Sequence, residues 1–292
     1  MSTSHRPRRS VLYMPGANER ALEKAKGIAA DALILDLEDA VAPDAKAEAR
    51  ERVCDAVRSG AYGSKELTIR INGIGTDWHD DDIAAAATAG PHAIVVPKVN
   101  SADEVHSLVG VLEGAGAPAH TMLWAMLETP MAVFAAADIL GASPRLTVAI
   151  MGTNDLAKEL HAEQVAGRAP LLFGLQQCVM AARLTDTVIL DGVFNDIKDD
   201  DGFRAEAIQA RQFGFEGKTL IHPSQVEPAN DVFAPGPDEI DHARRVIAAF
   251  DEATAQGKGV VTVDGRMIEN LHVDNARRVL AMADAIEALA RD

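Results

Sequence analysis

Apolar runs of strand length alternate with longer amphipathic stretches along almost the whole chain. The runs cover residues 10–14, 32–37, 66–71, 93–97, 121–127, 146–151, 187–190 and 219–221. Most are rich in Val, Ile and Leu without polar alternation, the pattern of strands buried on both faces of a parallel sheet. Between them recurs the period of an amphipathic helix, as in residues 18–28, 43–58, 102–113 and 131–140. Pro43 suits a first helical turn, after which Lys46, Glu48 and Arg50 read as an exposed face.

Eight strands, each followed by helical sequence, predict a (β/α)8 TIM barrel. A doubly wound sheet is the alternative. Against it, no G-x-G-x-x-G follows the first strand, where Pro15-Gly16-Ala17-Asn18 stands instead. The stretch around 230–238, with Pro228, Pro235 and Pro237, reads as a linker. A helix over 238–255, a Gly-rich strand or hairpin over 257–265 and a helix over 273–290 follow. Residues 1–230 are thus expected to form the barrel. Residues 231–292 form a C-terminal helical extension, too small to stand alone, that packs on the barrel or on a neighbouring subunit as a lid.

Composition adds bounds. With 292 residues, 48% hydrophobic and 25% charged, the chain can build a sizeable core. No apolar run approaches the roughly 20 residues of a membrane span. Residues 1–9 are basic but lead into no signal-peptide core, so they read as a short leader on a cytoplasmic protein. Cys54 and Cys178 lack metal-ligand spacing and read as buried thiols. A formal charge of −16 argues against a nucleic-acid partner. An anionic small molecule stays open, provided that local arginines or a metal meet it.

In a barrel, chemistry collects at the C-terminal strand ends, and here these ends are polar. They carry Asp36-Leu37-Glu38-Asp39, Arg70-Ile71-Asn72, Pro97-Lys98, Glu128-Thr129, Gly152-Thr153-Asn154-Asp155, Asp191-Gly192 and His222-Pro223-Ser224. Carboxylates around one mouth repel unless they share a cation or some are protonated. Without a Cys/His cluster, oxygen ligands favour magnesium or manganese over zinc. Glu128 and Asp155, on adjacent strand ends, are the natural pair, with Glu38 and Asp39 holding metal-bound water. The competing reading is that each carboxylate caps the helix after it. Arg70 can clamp a carboxylate or stabilise an enolate; a structural salt bridge is its alternative. Lys98 at a strand end invites Schiff-base chemistry, which needs a desolvated amine. The run from Asp77 to Asp82 looks like a metal cluster but reads better as a loop and helix start, from which Trp78 reaches over the site. No G-x-S-x-G elbow or Walker loop occurs, and His222 and Ser224 are too close in sequence to form a relay.

These motifs are similar to those of the citrate lyase beta-subunit and malyl-CoA lyase family of CoA-ester lyases. The matching stretches also include Arg9 to Gly16, Leu127-Glu128-Thr129 and Gly217 to Gln225. The resemblance implies a magnesium-binding (β/α)8 barrel that assembles as a homotrimer or hexamer and takes a CoA thioester. It implies Glu128 and Asp155 as metal ligands and Arg70 against the oxo-acid or enolate. Tyr13, Pro15, Arg20 and Lys24 then lie near CoA. In the family a C-terminal carboxylate in Gly-Lys-Met-Ile-Asp-x-Pro reaches a neighbour's site as acid or base. Here the segment runs Gly265-Arg266-Met267-Ile268-Glu269-Asn270-Leu271, with glutamate for aspartate and no proline. One extra methylene moves a carboxylate by about 1.5 Å, and misplacement by ~1 Å can lower a rate ~10²-fold.

The first expectation is therefore a magnesium-dependent lyase that cleaves a β-hydroxyacyl-CoA (malyl-, methylmalyl- or citramalyl-CoA) to an acyl-CoA and a 2-oxo acid. Arg70 and the metal would stabilise negative charge, with Glu269, Glu38 or Asp39 carrying protons. The second is a malyl-CoA thioesterase on the same scaffold, and the third a non-catalytic acyl-CoA-binding subunit.

Overall fold

All eight apolar runs form strands whose ends lie within two residues of those expected. In the computed structural model, which describes residues 6–257 and 259–291, they are β1 (Ser10–Pro15), β2 (Ala32–Asp36), β3 (Glu66–Arg70), β4 (Ala93–Val96), β5 (Met122–Leu127), β6 (Leu146–Met151), β7 (Val188–Asp191) and β8 (Gly217–Leu220). Each pairs in parallel with the next, and β8 pairs with β1 to close the barrel. Helices α1 (Glu19–Ala25), α2 (Lys46–Arg58), α3 (His79–Ala89) and α4 (Ala102–Gly114) follow the first four strands. Next come α5 (Pro130–Phe134), α6 (Ala136–Gly141), α7 (Thr153–Glu159), α8 (Leu172–Leu184), α9 (Asp200–Phe213) and α10 (Val226–Phe233).

Two apolar clusters account for strands without polar alternation. One, between strands and helices, gathers Leu33, Leu35, Ile69, Ile94, Leu123 and Leu127 with helical residues such as Val53 and Leu108. The other is built from strands alone: Val11, Ala32, Ile34, Val95, Trp124, Met126, Val148, Ile150 and Leu190. Its members alternate with those of the first along each strand, so it is the barrel interior. Beneath it, Arg8 pairs with Glu66 (2.7 Å) and covers the Trp124 ring.

Several local expectations change. The helix expected over 131–140 breaks at Ala135 (φ −91, ψ 6) into α5 and α6. Where a linker was expected, α10 runs to Phe233; Pro228 sits in its first turn, where a missing N–H loses no helical bond. Lys46 is not on an exposed face. It is buried, and its Nζ donates to the carbonyls of Leu37 and Glu38 and to Asn72 Oδ1, each at 2.7 Å. Burial lowers its pKa, against the raising pull of Asp36 and Asp82. Both cysteines are free and buried.

Arg8–Phe233 is one compact unit and Ala234–Asp292 belongs to another. The second contains α11 (Pro237–Ala255), an antiparallel hairpin of β9 (Val261–Val263) and β10 (Arg266–Ile268), and α12 (Asn270–Leu289). It has its own apolar cluster around Val246, Ile268, Val273 and Val279. Of the basic leader, residues 1–5 lie outside the described residues. No helix among the described residues is long and apolar enough to cross a membrane.

Candidate active site

Register decides which strand-end residues meet at the barrel mouth. The inward series Ala32, Ile34 on β2 continues to Asp36, and Trp124, Met126 on β5 continues to Glu128. On β3 the corresponding strand-end residue is Arg70, paired in register with Asp36. Ionisable groups thus stand where lower layers hold apolar side chains, and Asp36, Arg70 and Glu128 are 1%, 8% and 3% exposed.

Arg70 is the hub. Its Nε and Nη2 donate to the two carboxylate oxygens of Asp36 at 2.6 and 2.8 Å, a bidentate pair. Its Nη1 lies 2.7 Å from Glu38 and 3.6 Å from Asp39. The Tyr13 ring stacks 4.7 Å from the guanidinium. Desolvation would lower the Arg70 pKa, but Asp36, Tyr13 and Glu38 hold it well above its ordinary value. Burial raises Glu38 to about 7, opposed by Arg70 and reinforced by Asp39 and Asp36. Burial, then the charges of Glu38 and Asp155, push Glu128 up to about 8, against the Lys98 N–H and Arg70. Burial also raises the Tyr13 phenol, with Arg70 opposing.

Asp155 sits in the first turn of α7, and its Oδ1 lies 3.1 Å from Lys98 Nζ. The Lys98 backbone N–H donates to Glu128 Oε1 at 2.8 Å. Gly152 makes room for Glu128: a Cβ there would fall 2.9 Å from Glu128 Cδ and closer still to its Cβ and Oε2. Helix capping is the work of other residues. Thr129 Oγ1 accepts from Ala132 N at the start of α5, whereas Asp36 accepts from the N–H groups of Glu38 and Ala40 in the turn after β2 and caps no helix.

The expected residues divide accordingly. Tyr13, Glu38, Asp39 and Arg70 form one ionic and aromatic cluster, and Lys98 joins Glu128 to Asp155. Pro15 ends β1 half-buried. Arg20 and Lys24 lie exposed, four residues apart on α1, without an ion-pair partner among the described residues. Glu269 belongs to the second unit, at the N-cap of α12, where its N–H donates to His272 Nδ1 (3.1 Å).

Other candidates resolve into scaffolding. Asp82 is fully buried and accepts from Asn72 N (3.1 Å), Asn72 Nδ2 (2.6 Å) and Arg50 Nε (2.6 Å), so it braces the β3 end and ligates nothing. Trp78 receives the Lys46 ammonium 5.1 Å from its ring. His222 Nδ1 lies 2.8 Å from Ser224 Oγ on an exposed turn and also accepts from Ser224 N, which is capping geometry. Burial would lower the Lys98 pKa, but its hydrogen bond to Asp155 and the charges of Asp155, Glu128 and Glu38 raise it. That is the opposite of what a Schiff-base amine needs.

Sequence reasoning missed three supports: Asp36, Lys46, and a buried cluster in which Lys218 Nζ donates to Asp191 (2.7 Å) and Glu206 (2.8 Å) while Arg168 binds Asp191 (2.7 Å). Asp36 alone had a usable signal, its place two residues after Ile34. Beside Asp155, a cavity of about 400 Å³ opens between Thr153, Asn154, Gln164, Arg168, Asn195 and Glu206.

No group of three or more His, Cys, Asp or Glu side chains among the described residues forms a metal cage. Magnesium needs none, since it binds through one or two carboxylates and keeps water or substrate oxygens. Glu128 is buried with a single backbone donor on one oxygen, and Asp155 already attracts a cation, the Lys98 ammonium. This donor set fits a hard divalent ion.

Comparison with known proteins gives the same chemistry a context. The family model described as HpcH/HpaI aldolase/citrate lyase matches residues 9–223. A (3S)-malyl-CoA thioesterase of Cereibacter sphaeroides is 49% identical over 99% of both chains. An L-malyl-CoA/beta-methylmalyl-CoA lyase of the same species is 34% identical over 97% of this chain and 96% of its own. The solved structure of CitE from Mycobacterium tuberculosis in complex with magnesium, acetoacetate and coenzyme A superposes with a TM-score of 0.76, at 29% identity, over 94% of this chain and 97% of that one. The chain belongs to the HpcH/HpaI aldolase/citrate lyase family.

Proposed function

We propose that this protein is a magnesium-dependent enzyme that hydrolyses a malyl-CoA thioester on a lyase scaffold. The observation that carries the reading is the 49% identity to a malyl-CoA thioesterase over 99% of both chains, against 34% to a malyl-CoA lyase. It reverses the order expected from the sequence, where cleavage came first and hydrolysis second.

In this reading Glu128 and Asp155 hold magnesium, which when bound supplies Lewis-acid polarisation and a template for the malyl oxygens. Arg70, pinned by Asp36, presents fixed positive charge to the substrate's oxygens without having to reorganise. Glu38, held at about 7, is poised to exchange protons near neutrality. It takes a proton from water as the water oxygen attacks the thioester carbonyl. The C–S bond then breaks, and the proton passes to the leaving CoA thiolate. Asp39, exposed beside Arg70, assists Glu38, and Glu269 serves as a second proton carrier in the site of a neighbouring subunit, as the family resemblance implies. Tyr13, Pro15, Arg20 and Lys24 lie near the CoA phosphates and adenine. A cytoplasmic homotrimer or hexamer completes the reading.

Cleavage to an acyl-CoA and a 2-oxo acid is the second reading. The buried Arg70 beside Glu38 suits an enolate as well as an oxyanion. Product analysis separates the two: malyl-CoA with magnesium should give malate and free CoA. Glyoxylate and acetyl-CoA would establish cleavage instead, and full turnover in EDTA would end the metal assignment.

A further inference from the structure

Lys98 combines two features that no simple strand-end lysine needs. Its backbone lies in the left-handed region (φ +52), which an L side chain adopts only against steric resistance. There its N–H donates to Glu128 Oε1 (2.8 Å), while its Nζ lies 3.1 Å from Asp155 Oδ1. One residue thus engages both carboxylates of the pair, binding one through the backbone and the other through its charge. Strain of this kind persists where the surroundings demand it, commonly at functional sites. Among the described residues, no other cation forms an ion pair with Asp155, and none forms one with Glu128.

We propose that Lys98 is a resident counter-ion that a divalent cation displaces from Asp155, after which its ammonium meets the anionic part of the substrate. The proposal rests on the reading of Glu128 and Asp155 as metal ligands. A doubly charged ion and an ammonium a few ångströms apart repel by several times thermal energy, so an ion bound at Asp155 loosens the hold of that carboxylate on the ammonium. The Lys98 side chain is 46% exposed on a flexible four-carbon stem and is free to turn. Its backbone bond to Glu128 keeps that turn local. With the metal bound, the released ammonium is a cation at the mouth without its Asp155 partner, and an anionic acyl group can take that partner's place. Metal and substrate then favour each other's binding, each taking one side of an exchange that Lys98 mediates. Lys98 is accordingly a positioning residue for the metal and a specificity residue for an anionic acyl chain.

The test is calorimetric titration of magnesium alone into the full-length protein and its Lys98→Met, Lys98→Gly, Lys98→Arg and Glu128→Gln variants. Losing the ammonium should tighten magnesium binding about tenfold in both Lys98→Met and Lys98→Gly, by removing competition and repulsion. The glycine variant keeps the N–H without the left-handed strain, so it guards against misfolding of the methionine variant. Lys98→Arg keeps the charge and should bind as the parent does. With the malyl-CoA substrate, KM in Lys98→Met should rise several-fold while kcat changes less. Unchanged or weaker magnesium binding in both Met and Gly variants overturns the proposal. Failure of the underlying site reads differently: the parent and Glu128→Gln would then bind magnesium equally or not at all, and the role of Lys98 falls with it.

Discussion

Raising the pH should destabilise the metal-free protein, and magnesium should restore what is lost. Glu128 is 3% exposed and its carboxyl is pushed from 4.5 to about 8, first by burial and then by Glu38 and Asp155. For an acid whose folded value is raised, stability is complete below the unfolded value of 4.5. Between 4.5 and about 8 the unfolded chain releases a proton that the folded protein keeps, so stability falls as pH rises and levels off above about 8. A shift of 8 − 4.5 = 3.5 units, at about 1.36 kcal/mol each, amounts to about 5 kcal/mol. At roughly 2 °C per kcal/mol for a chain of this size, that is on the order of 10 °C in Tm. Glu128→Gln cannot ionise, so it isolates this contribution from every other titrating group. In EDTA the variant should match the parent near pH 4.5 and exceed it by about 10 °C near pH 9. On the proposed reading magnesium binds Glu128 only in the folded form and competes with the proton, so it should raise the parent's Tm most at high pH and leave Glu128→Gln unmoved. Thermal unfolding by circular dichroism across this range decides the matter. Parallel pH profiles for parent and variant, or an equal response to magnesium, would refute the argument.

Three further perturbations probe the same mouth. Gly152→Ala involves no backbone strain, since φ is −90, but its methyl overlaps Glu128; a displacement of about 1 Å should lower kcat/KM about 10²-fold, checked by initial rates beside an unchanged circular dichroism spectrum. Arg70→Ala strands the buried Asp36 carboxylate and should lower stability by about 3–5 kcal/mol in urea unfolding, with Arg70→Lys losing less because it keeps the charge. Asp82→Ala strips the buried Asn72 N–H of its acceptor and leaves Asn72 Nδ2 with only the Leu37 carbonyl and Arg50 with only the exposed Asp81, and chemical denaturation should show a loss of about 3 kcal/mol.

The barrel was readable because its strands are continuous Val, Ile and Leu runs, and such runs declare burial on both faces without reference to any partner. The position of Glu128 and Arg70 at the mouth was readable because each stands at the end of such a run, whereas Asp155 lies four residues beyond the end of β6, in the first turn of α7. What escaped depended on register or on distant partners. In Asp36-Leu37-Glu38-Asp39 three acids compete for notice, and only counting inward from Ile34 shows that Asp36 faces Arg70. Lys46 looks like one more charge on an amphipathic helix. Its burial follows from Leu37 and Glu38 carbonyls and an Asn72 side chain 26 positions away, contacts that no helical period records. The linker expected over 230–238 begins only after Phe233 for a similar reason, because a proline breaks a helix interior but suits its first turn, where Pro228 sits. The choice between hydrolysis and cleavage was weighed on Glu269 alone, and one methylene in a separately packed segment decides little.

The separate packing of that segment has an evolutionary consequence. In the barrel, Asp36, Glu38 and Tyr13 all converge on Arg70, so changing that hub strands a buried carboxylate, and substitutions there should be purged before they can be tuned. The C-terminal unit rests on its own Val246, Ile268 and Val273 core, so a residue such as Glu269 is held by a different set of contacts from the ionic cluster. Descendants of one ancestor can therefore keep the mouth frozen while substitutions accumulate on a part of the chain that has a core of its own.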